Sequence, residues 1–227
     1  MNRILTTAIA LMLTLAASAQ IEERRNMFEV GLAGGATFSS MDLQPTVRQK
    51  NLPGLNGGIS MRYTTEKYFN MICAAQLELN YAQRGWEEDF DDKTGNSYSR
   101  RLNSLEIPFL AHLAFGKEPY GLQFYINLGP QVGILLGDEE TYEGTWNIES
   151  RPNATQSIYG KAVDNKFDYG ITGGLGLELR TKAGNFFVEG RYYYGLGDIF
   201  NNSKTDDFGR SANMTITARL GYSVRIF

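Results

Sequence analysis

Apolar residues occupy every second position in two consecutive segments between Ser104 and Gly137. The apolar register of the first segment holds Leu105, Ile107, Phe109, Ala111, Leu113 and Phe115. The alternate register of both segments carries polar or small residues, among them Glu106, Gln123 and Asn127. A period of two predicts β-strands, and about a dozen residues per strand is enough to cross a bilayer at a tilt. The two segments therefore predict a hairpin between lipid and a polar interior.

The same alternation recurs in eight segments along the chain. They cover residues 28–36, 55–63, 71–84, 104–115, 123–136, 168–180, 186–196 and 214–225. The connections alternate between long loops, at 38–54, 85–99, 138–166 and 200–211, and short turns, at 66–67, 116–120 and 181–185. This order predicts an all-β fold, an eight-stranded antiparallel up-and-down transmembrane β-barrel of the OmpA/OmpX-like type, with both termini at the short-turn rim in the periplasm.

The charged residues of the strands decide which face is inside. Seven of them share the polar register near mid-strand: Glu78, Glu106, Glu178, Glu189, Arg62, Arg191 and Arg219. An arginine facing lipid at the midplane would cost about 2 to 4 kcal/mol, so we expect these side chains inside. A soluble lipocalin-like barrel, with the apolar face inside and the charges outside, is the alternative.

The first residues predict a secretory signal peptide over residues 1–19. Arg3 precedes an apolar run from Ile4 to Ala17, and small residues then precede a cleavage site between Ala19 and Gln20. The run is shorter than the roughly 20 residues that a membrane-spanning helix needs. We expect residues 20–227 to form the barrel domain.

Composition and charge narrow the possible partners. Removal of the leader takes away Arg3 and leaves 21 basic and 25 acidic residues, a net charge of −4. This mild acidity argues against a nucleic-acid partner. The single cysteine, Cys73, has no partner for a disulfide and is expected to pack as a small apolar residue.

The search for catalytic residues centres on His112, the one histidine of the chain. Its strand position predicts an interior side chain near the short-turn rim, which favours a hydrogen-bonded structural role over catalysis. The inward glutamates resemble a hydrolase acid and base only superficially, because an eight-stranded barrel is narrow enough for them to pair with the arginines. The same filling argues against an open pore. We therefore predict no catalytic residue and no cofactor site.

Two further motifs resemble ligand-binding sites, but both are explained by structural roles. The glycine-rich segment Gly170–Gly176 is not followed by a helix, so its glycines are expected to relieve crowding in a strand. The acidic run comprises Glu87, Glu88, Asp89, Asp91 and Asp92. Thr94 stands where an EF-hand loop starting at Asp89 needs glycine, so we predict a solvated loop and no metal site.

Four strand segments resemble the PorT-like outer-membrane β-barrel family of Bacteroidetes. They are Leu105–Leu110, Asn127–Gly133, Gly173–Glu178 and Gly190–Leu196. The resemblance covers about Phe28 to Phe227 and implies a small outer-membrane barrel whose partners are outer-membrane lipid, lipopolysaccharide and the barrel-assembly machinery. The founding member is tied to type IX secretion, which implies secretion-system proteins as further partners, although most relatives have no assigned activity. Phe227 resembles the terminal aromatic residue of barrel proteins but lies in the opposite register from Val224 and Ile226.

These observations lead to one hypothesis and its alternatives. We expect a non-enzymatic outer-membrane barrel with a structural or interaction role. The alternative is a surface adhesion or ligand-binding barrel that acts through loops 138–166 and 85–99. An outer-membrane enzyme is the remaining possibility.

Overall fold

The computed structural model describes residues 22–90, 95–145, 147–150, 156–202 and 208–227. The predicted signal peptide at 1–19 and the acidic residues Asp91 and Asp92 lie outside this part of the chain. The strands are β1 (Glu22–Gln44), β2 (Gln49–Lys50), β3 (Leu52–Tyr68), β4 (Met71–Glu88), β5 (Ser97–Gly116), β6 (Gly121–Glu143), β7 (Phe167–Thr181), β8 (Gly184–Gly195) and β9 (Arg210–Arg225). A 3₁₀ turn covers Ile148–Ser150.

Eight long antiparallel strands close into a ring. The order around the ring is β3, β1, β9, β8, β7, β6, β5 and β4, and β4 pairs with β3 to complete it. The two-residue strand β2 lies outside the ring order and pairs with Glu87 and Glu88 at the end of β4. The prediction of an all-β, eight-stranded, antiparallel up-and-down barrel is confirmed.

The two faces of the wall have opposite chemistry. Each long strand presents a large apolar side chain outward. These include Leu32, Leu55, Leu77, Phe109, Leu128, Ile171, Val188 and Leu220, which are 38 to 67% exposed. Each also buries a charged or amide side chain inward, including Glu29, Arg62, Glu78, Glu106, Asn127, Glu178, Arg191 and Arg219. The seven charged residues predicted to face inward all do so. This is the reverse of a soluble ligand-binding barrel, so the lipocalin-like alternative is wrong.

Glycines on the inner face make room for aromatic rings. A Cβ atom on Gly176 would lie 2.2 Å from the ring of Tyr125, and one on Gly221 would lie 2.1 Å from the ring of Phe187. Because only glycine allows a ring to lie so close to the neighbouring strand, these positions fix where the bulkiest inward side chains fit. Within segment 170–176, Gly170 beside Tyr193 and Gly176 beside Tyr125 relieve crowding in this way, as the sequence indicated.

The strands continue well beyond the predicted membrane wall at the long-loop rim. The predicted loops 38–54, 85–99 and 138–166 are too long, because β1 runs to Gln44, β4 to Glu88 and β6 to Glu143. The pairing continues there, as in Arg101 opposite Glu139 and Tyr98 opposite Tyr142. Outward positions in this region are mostly polar, and the inward ones include the apolar residues Met41, Leu43, Trp86, Tyr98 and Leu102 beside the charged Glu88 and Arg100. The apolar residues therefore change face where the wall leaves the lipid-facing band. That inversion hid the strands from a search for outward apolar residues.

Above the polar interior, an apolar core fills the long-loop end of the barrel. We call this core the cap. Its buried members are Met41, Leu43, Val47, Trp86, Tyr98, Leu102, Ile158, Ile199, Phe200 and Phe208. Strands β1, β4 and β5 supply one side, and segments 156–163 and 196–202 fold against them together with Phe208. Within the described residues, no helix is both long and apolar enough to span a membrane.

The last residue completes the wall beside β1. The Phe28 amide donates to the Phe227 carbonyl at 2.9 Å, and the Ile226 amide donates to the Phe28 carbonyl at 2.8 Å. The Phe227 ring stacks on Phe28 at 5.6 Å. β9 itself ends at Arg225, so Phe227 reaches its neighbour outside the regular strand register.

The inside-out arrangement predicts unequal effects for arginine at two outward positions of β6. Leu128→Arg places a charge in the middle of the lipid-facing band and should destabilise the barrel by about 2 to 4 kcal/mol. Thr141→Arg lies on the same strand above the band and should change stability by less than about 0.5 kcal/mol. Urea unfolding in phospholipid vesicles measures both. Equal losses would contradict the assignment of the faces.

Candidate functional site

The inward charges form three layers, and the first lies near the short-turn rim. Arg62 Nε lies 2.9 Å from Glu29 Oε2, and Arg62 Nη2 lies 2.7 Å from Glu178 Oε2. Arg180 also pairs with Glu29, and its Nε lies 3.6 Å from Glu178 Oε1. Two carboxylates and two guanidinium groups therefore balance each other across the lumen from strands β1, β3 and β7.

The middle layer centres on Glu78. Arg191 contacts both of its carboxylate oxygens, at 2.9 and 3.0 Å, and Arg219 Nη1 lies 2.9 Å from Oε2. Glu189 pairs with Arg191 at 2.7 Å and accepts a hydrogen bond from Asn127 at 3.2 Å. Such bidentate, fully enclosed pairs hold strands β4, β8 and β9 in fixed relation, because a lone charge here would be strongly destabilising.

The upper layer lies directly beneath the cap. Arg84 pairs with Glu106 at 2.5 Å and lies 3.5 Å from Asp168 Oδ2. Its guanidinium also lies 4.0 Å from the centre of the Tyr193 ring. Gln131 donates to the second oxygen of Glu106 at 2.9 Å. Each predicted inward glutamate thus has an arginine partner in the structure.

The sequence prediction of an interior ion network found most of its members but missed Glu29, Arg84 and Arg180. All three share the inward register of their strands, but they lie at or next to the ends of the predicted segments 28–36, 71–84 and 168–180, away from the mid-strand positions of the other seven. The lumen is nearly filled. Two cavities within it have volumes of only about 10 and 20 Å³, the first beside His112 and the second beside Asp168, so each has room for about one water molecule.

His112 is a buried hydrogen-bonded residue, as its strand position indicated. Its Nε2 lies 2.8 Å from Arg62 Nη1, and its Nδ1 lies 2.8 Å from Asn127 Oδ1. Since arginine only donates, Nε2 accepts and Nδ1–H donates to Asn127. Both ring nitrogens are therefore engaged, and the side chain is 3% exposed. Neither nitrogen is placed to receive a proton from a substrate.

A buried arginine anchors the cap to β6. Arg100 is 2% exposed, pairs with Asp138, and places Nη1 2.9 Å from Glu140 Oε1. Tyr98 donates to the same Glu140 oxygen at 2.9 Å, and burial with the neighbouring carboxylate raises the pKa of its hydroxyl. Burial and a hydrogen bond to Glu140 raise the pKa of Tyr142 to about 12. Both tyrosines therefore stay protonated donors at neutral pH.

The acidic run beginning at Glu87 is held by protein groups rather than fully solvated. Glu88 is buried and accepts a hydrogen bond from Tyr159 at 2.5 Å. Asp89 lies 2.8 Å from Lys50 Nζ and 3.0 Å from Arg48 Nε, and the hydrogen bond from Lys50 lowers the pKa of its carboxyl group. Within the described ranges, which omit 91–94, no three His, Cys, Asp or Glu side chains are grouped to hold a metal ion.

Loop 138–166 divides into anchored and exposed parts. Residues 138–143 belong to β6, and Ile158 is 1% exposed in the cap. Between them, Gly144, Thr145, Asn147, Ile148 and Glu149 are exposed. We call residues 144–145 and 147–149 the exposed tip. It is one part of the surface that the described residues of loop 138–166 offer to a partner, and Gly160, Ala162 and residues 164–166 are exposed as well.

Comparisons with known proteins give one match to a family model. Residues 18–201 match the family described as outer membrane protein beta-barrel domain. No curated protein sequence is significantly similar.

Solved structures with a similar fold include Ail of Yersinia pestis, determined with the heparin analogue sucrose octasulfate. It is 19% identical, covers 87% of this chain and 99% of its own, and has a TM-score of 0.39. OprG of Pseudomonas aeruginosa is 12% identical over 88% of this chain and 98% of its own, with a TM-score of 0.45. The outer membrane enzyme PagL is 12% identical over 86 and 98%, with a TM-score of 0.42. With identities and scores this low, the three carry no inference about activity.

The interior network predicts a large effect for loss of its central carboxylate. Glu78→Gln leaves the two buried cations Arg191 and Arg219 with the single charge of Glu189 between them and should destabilise the barrel by about 3 to 5 kcal/mol. Glu139→Gln, which removes an exposed carboxylate on β6, serves as the control and should cost less than about 0.5 kcal/mol. Urea midpoints of the folded barrels measure the difference. A midpoint for Glu78→Gln like that of wild type would show that the network does not stabilise the fold.

Proposed function

Since the chain belongs to the outer membrane protein beta-barrel domain family, we propose that it is a non-enzymatic outer-membrane barrel that presents a rigid binding platform at its long-loop end. In this proposal the termini and the three short turns face the periplasm, and the cap faces outward. The observation that carries the proposal is the cap, since strands extended beyond the lipid-facing band and packed around their own core make a stable base for the exposed tip.

The filled interior supports a role without catalysis or transport. Glu106 is paired with Arg84, and His112 is held between Arg62 and Asn127. Cavities of about 10 and 20 Å³ offer no room for a substrate. Small barrels of this kind fill their lumen with side chains, which argues against an open diffusion pore.

A role in type IX secretion is a second candidate. It is supported by the resemblance of four strand segments to the PorT-like family and by no contact described above. Deletion of the gene followed by an assay of surface-protein export tests it, and unchanged export would remove this candidate.

Orientation can be tested with cysteines at the two ends of the barrel. In a Cys73→Ser background, Ile148→Cys at the exposed tip should react with a membrane-impermeant maleimide on intact cells. Lys182→Cys, in the turn between β7 and β8, should react only after the outer membrane is permeabilised. The opposite pattern would reverse the proposed orientation.

The platform proposal predicts that binding is lost when the exposed tip is replaced, even though the cap beneath it stays intact. Replacing residues 144–149 with a Gly-Ser linker of equal length should abolish retention of producing cells on surfaces coated with matrix proteins or glycans. The barrel should remain folded, because no cap residue is changed. Deletion of all of 138–166 would also remove Ile158 from the cap, so it is the less specific variant. Retention unaffected by the linker would refute the platform.

The absence of catalysis can be examined in the same cells. His112→Ala combined with Glu106→Gln should leave surface binding and any lipid-modifying activity of the membrane unchanged, provided the gel shift between unboiled and boiled protein confirms folding. Loss of a measurable activity in the folded variant would favour an outer-membrane enzyme.

A further inference from the structure

A vestibule opens at the short-turn rim, at the opposite end from the cap. Its volume is about 330 Å³, and it lies between the β5–β6 turn, the β7–β8 turn and the end of β9. The residues that matter for its chemistry are Glu29, Tyr120, Arg180, Lys182, Asn185 and Arg225. A space of this size falls within the range of small-molecule sites and far exceeds the sealed cavities of the lumen.

The vestibule carries an excess of positive charge. The layer behind it is already balanced, because Glu29 and Glu178 face Arg62 and Arg180. Lys182 and Arg225 add two further cations at the mouth, and neither has an acidic partner within 4.0 Å in the described part of the chain. Lys67, at the same rim, is by contrast paired with Glu118 at 3.3 Å.

One buried cation that lines this space has donor capacity left. The Arg180 side chain is 5% exposed and uses Nη2 for Glu29 and Nε for Glu178. Its Nη1 has no acceptor among the described residues. Glu29 already has three donors, Arg62 Nε, Arg180 Nη2 and Asn185 Nδ2, and it interacts with Arg225 without a contact within 4.0 Å.

We propose that the vestibule binds a phosphate group. Guanidinium and ammonium groups converging on one concave space are the arrangement that recognises a tetrahedral oxyanion, with arginine supplying directed donors and lysine a point charge. The chain as a whole is acidic, with a net charge of −3, so this local excess is opposite to the overall balance.

The location of the mouth defines two sources for that phosphate. Tyr120 lines the vestibule and is 55% exposed, and Phe186 and Tyr222 pack together on the adjacent outer wall with ring centres 4.9 Å apart. Exposed aromatic residues at this rim mark the level of the lipid headgroups. A phospholipid headgroup and free inorganic phosphate therefore both reach the mouth, and they present the same chemistry.

Binding is tested first with inorganic phosphate on the full mature chain in detergent micelles. The amide signals of Ala183 and Gly184 should shift saturably in ¹H–¹⁵N spectra, and the affinity should fall as salt is raised. The double variant Lys182→Gln with Arg225→Gln should bind about tenfold more weakly, because two exposed charge contacts are lost. Lys117→Gln removes one charge from the same rim outside the vestibule and should bind like wild type.

A second arm separates the two sources. The same spectra are recorded in nanodiscs containing phosphatidylglycerol or, as the phosphate-free comparison, diacylglycerol in a constant lipid background. Shifts with phosphatidylglycerol alone assign the site to a headgroup, and shifts with inorganic phosphate alone assign it to the free ion. If neither probe gives a shift that the double variant weakens, or if Lys117→Gln weakens it equally, the vestibule is not a phosphate site. Both changed side chains of the double variant are exposed, so the heat-induced gel shift should confirm that it folds.

Discussion

The requirement that every charge enclosed by the barrel has a partner governs the structure. The outer face of the wall meets lipid, and the inner face encloses almost no water. An unpaired Glu or Arg would therefore destabilise the barrel whether it pointed outward or inward. The three layers meet this requirement with pairs that cross the lumen, such as Arg62 with Glu178 and Arg191 with Glu78. Each pair fixes the separation of strands that do not touch along the sheet, so the polar interior acts as the core of the barrel.

The period-two pattern of apolar and polar residues was enough to predict most of the fold. It fixed the number of strands, the sense of the connections and the inward face, because a slip of one residue would turn every charge toward lipid. It failed where the wall rises above the lipid-facing band, since Trp86, Tyr98 and Met41 are apolar on the inward register there. If the apolar residues are allowed to move from the outward to the inward face part-way along a strand, the pattern predicts β1, β4 and β6 up to their observed ends.

The candidate site was less predictable. The alternation of polar and apolar residues predicts that Glu78 and Arg191 face inward. It does not predict that they contact each other, because β4 and β8 are not neighbours in the ring. Their relative height depends on the stagger of all the strands. The cap could not be predicted from local patterns either. Its members come from the strands, from segments 156–163 and 196–202 and from Phe208, which only the closed barrel brings together. The excess positive charge at the short-turn rim also depends on the closed barrel. Only there do Arg62, Arg180 and Asn185 all donate to Glu29.

The ion pairs that cross the lumen also constrain the order of assembly. Arg62 and Glu178 are 116 residues apart in the chain, and Glu78 and Arg219 are 141 apart. A single hairpin entering hydrocarbon would bring such side chains in without their counterparts, which is unfavourable by several kcal/mol per ion. Stepwise insertion of hairpins is therefore disfavoured, and the growing sheet must keep its inner surface hydrated until β9 meets β1. Closure of that seam and expulsion of the last water from the lumen become one concerted event.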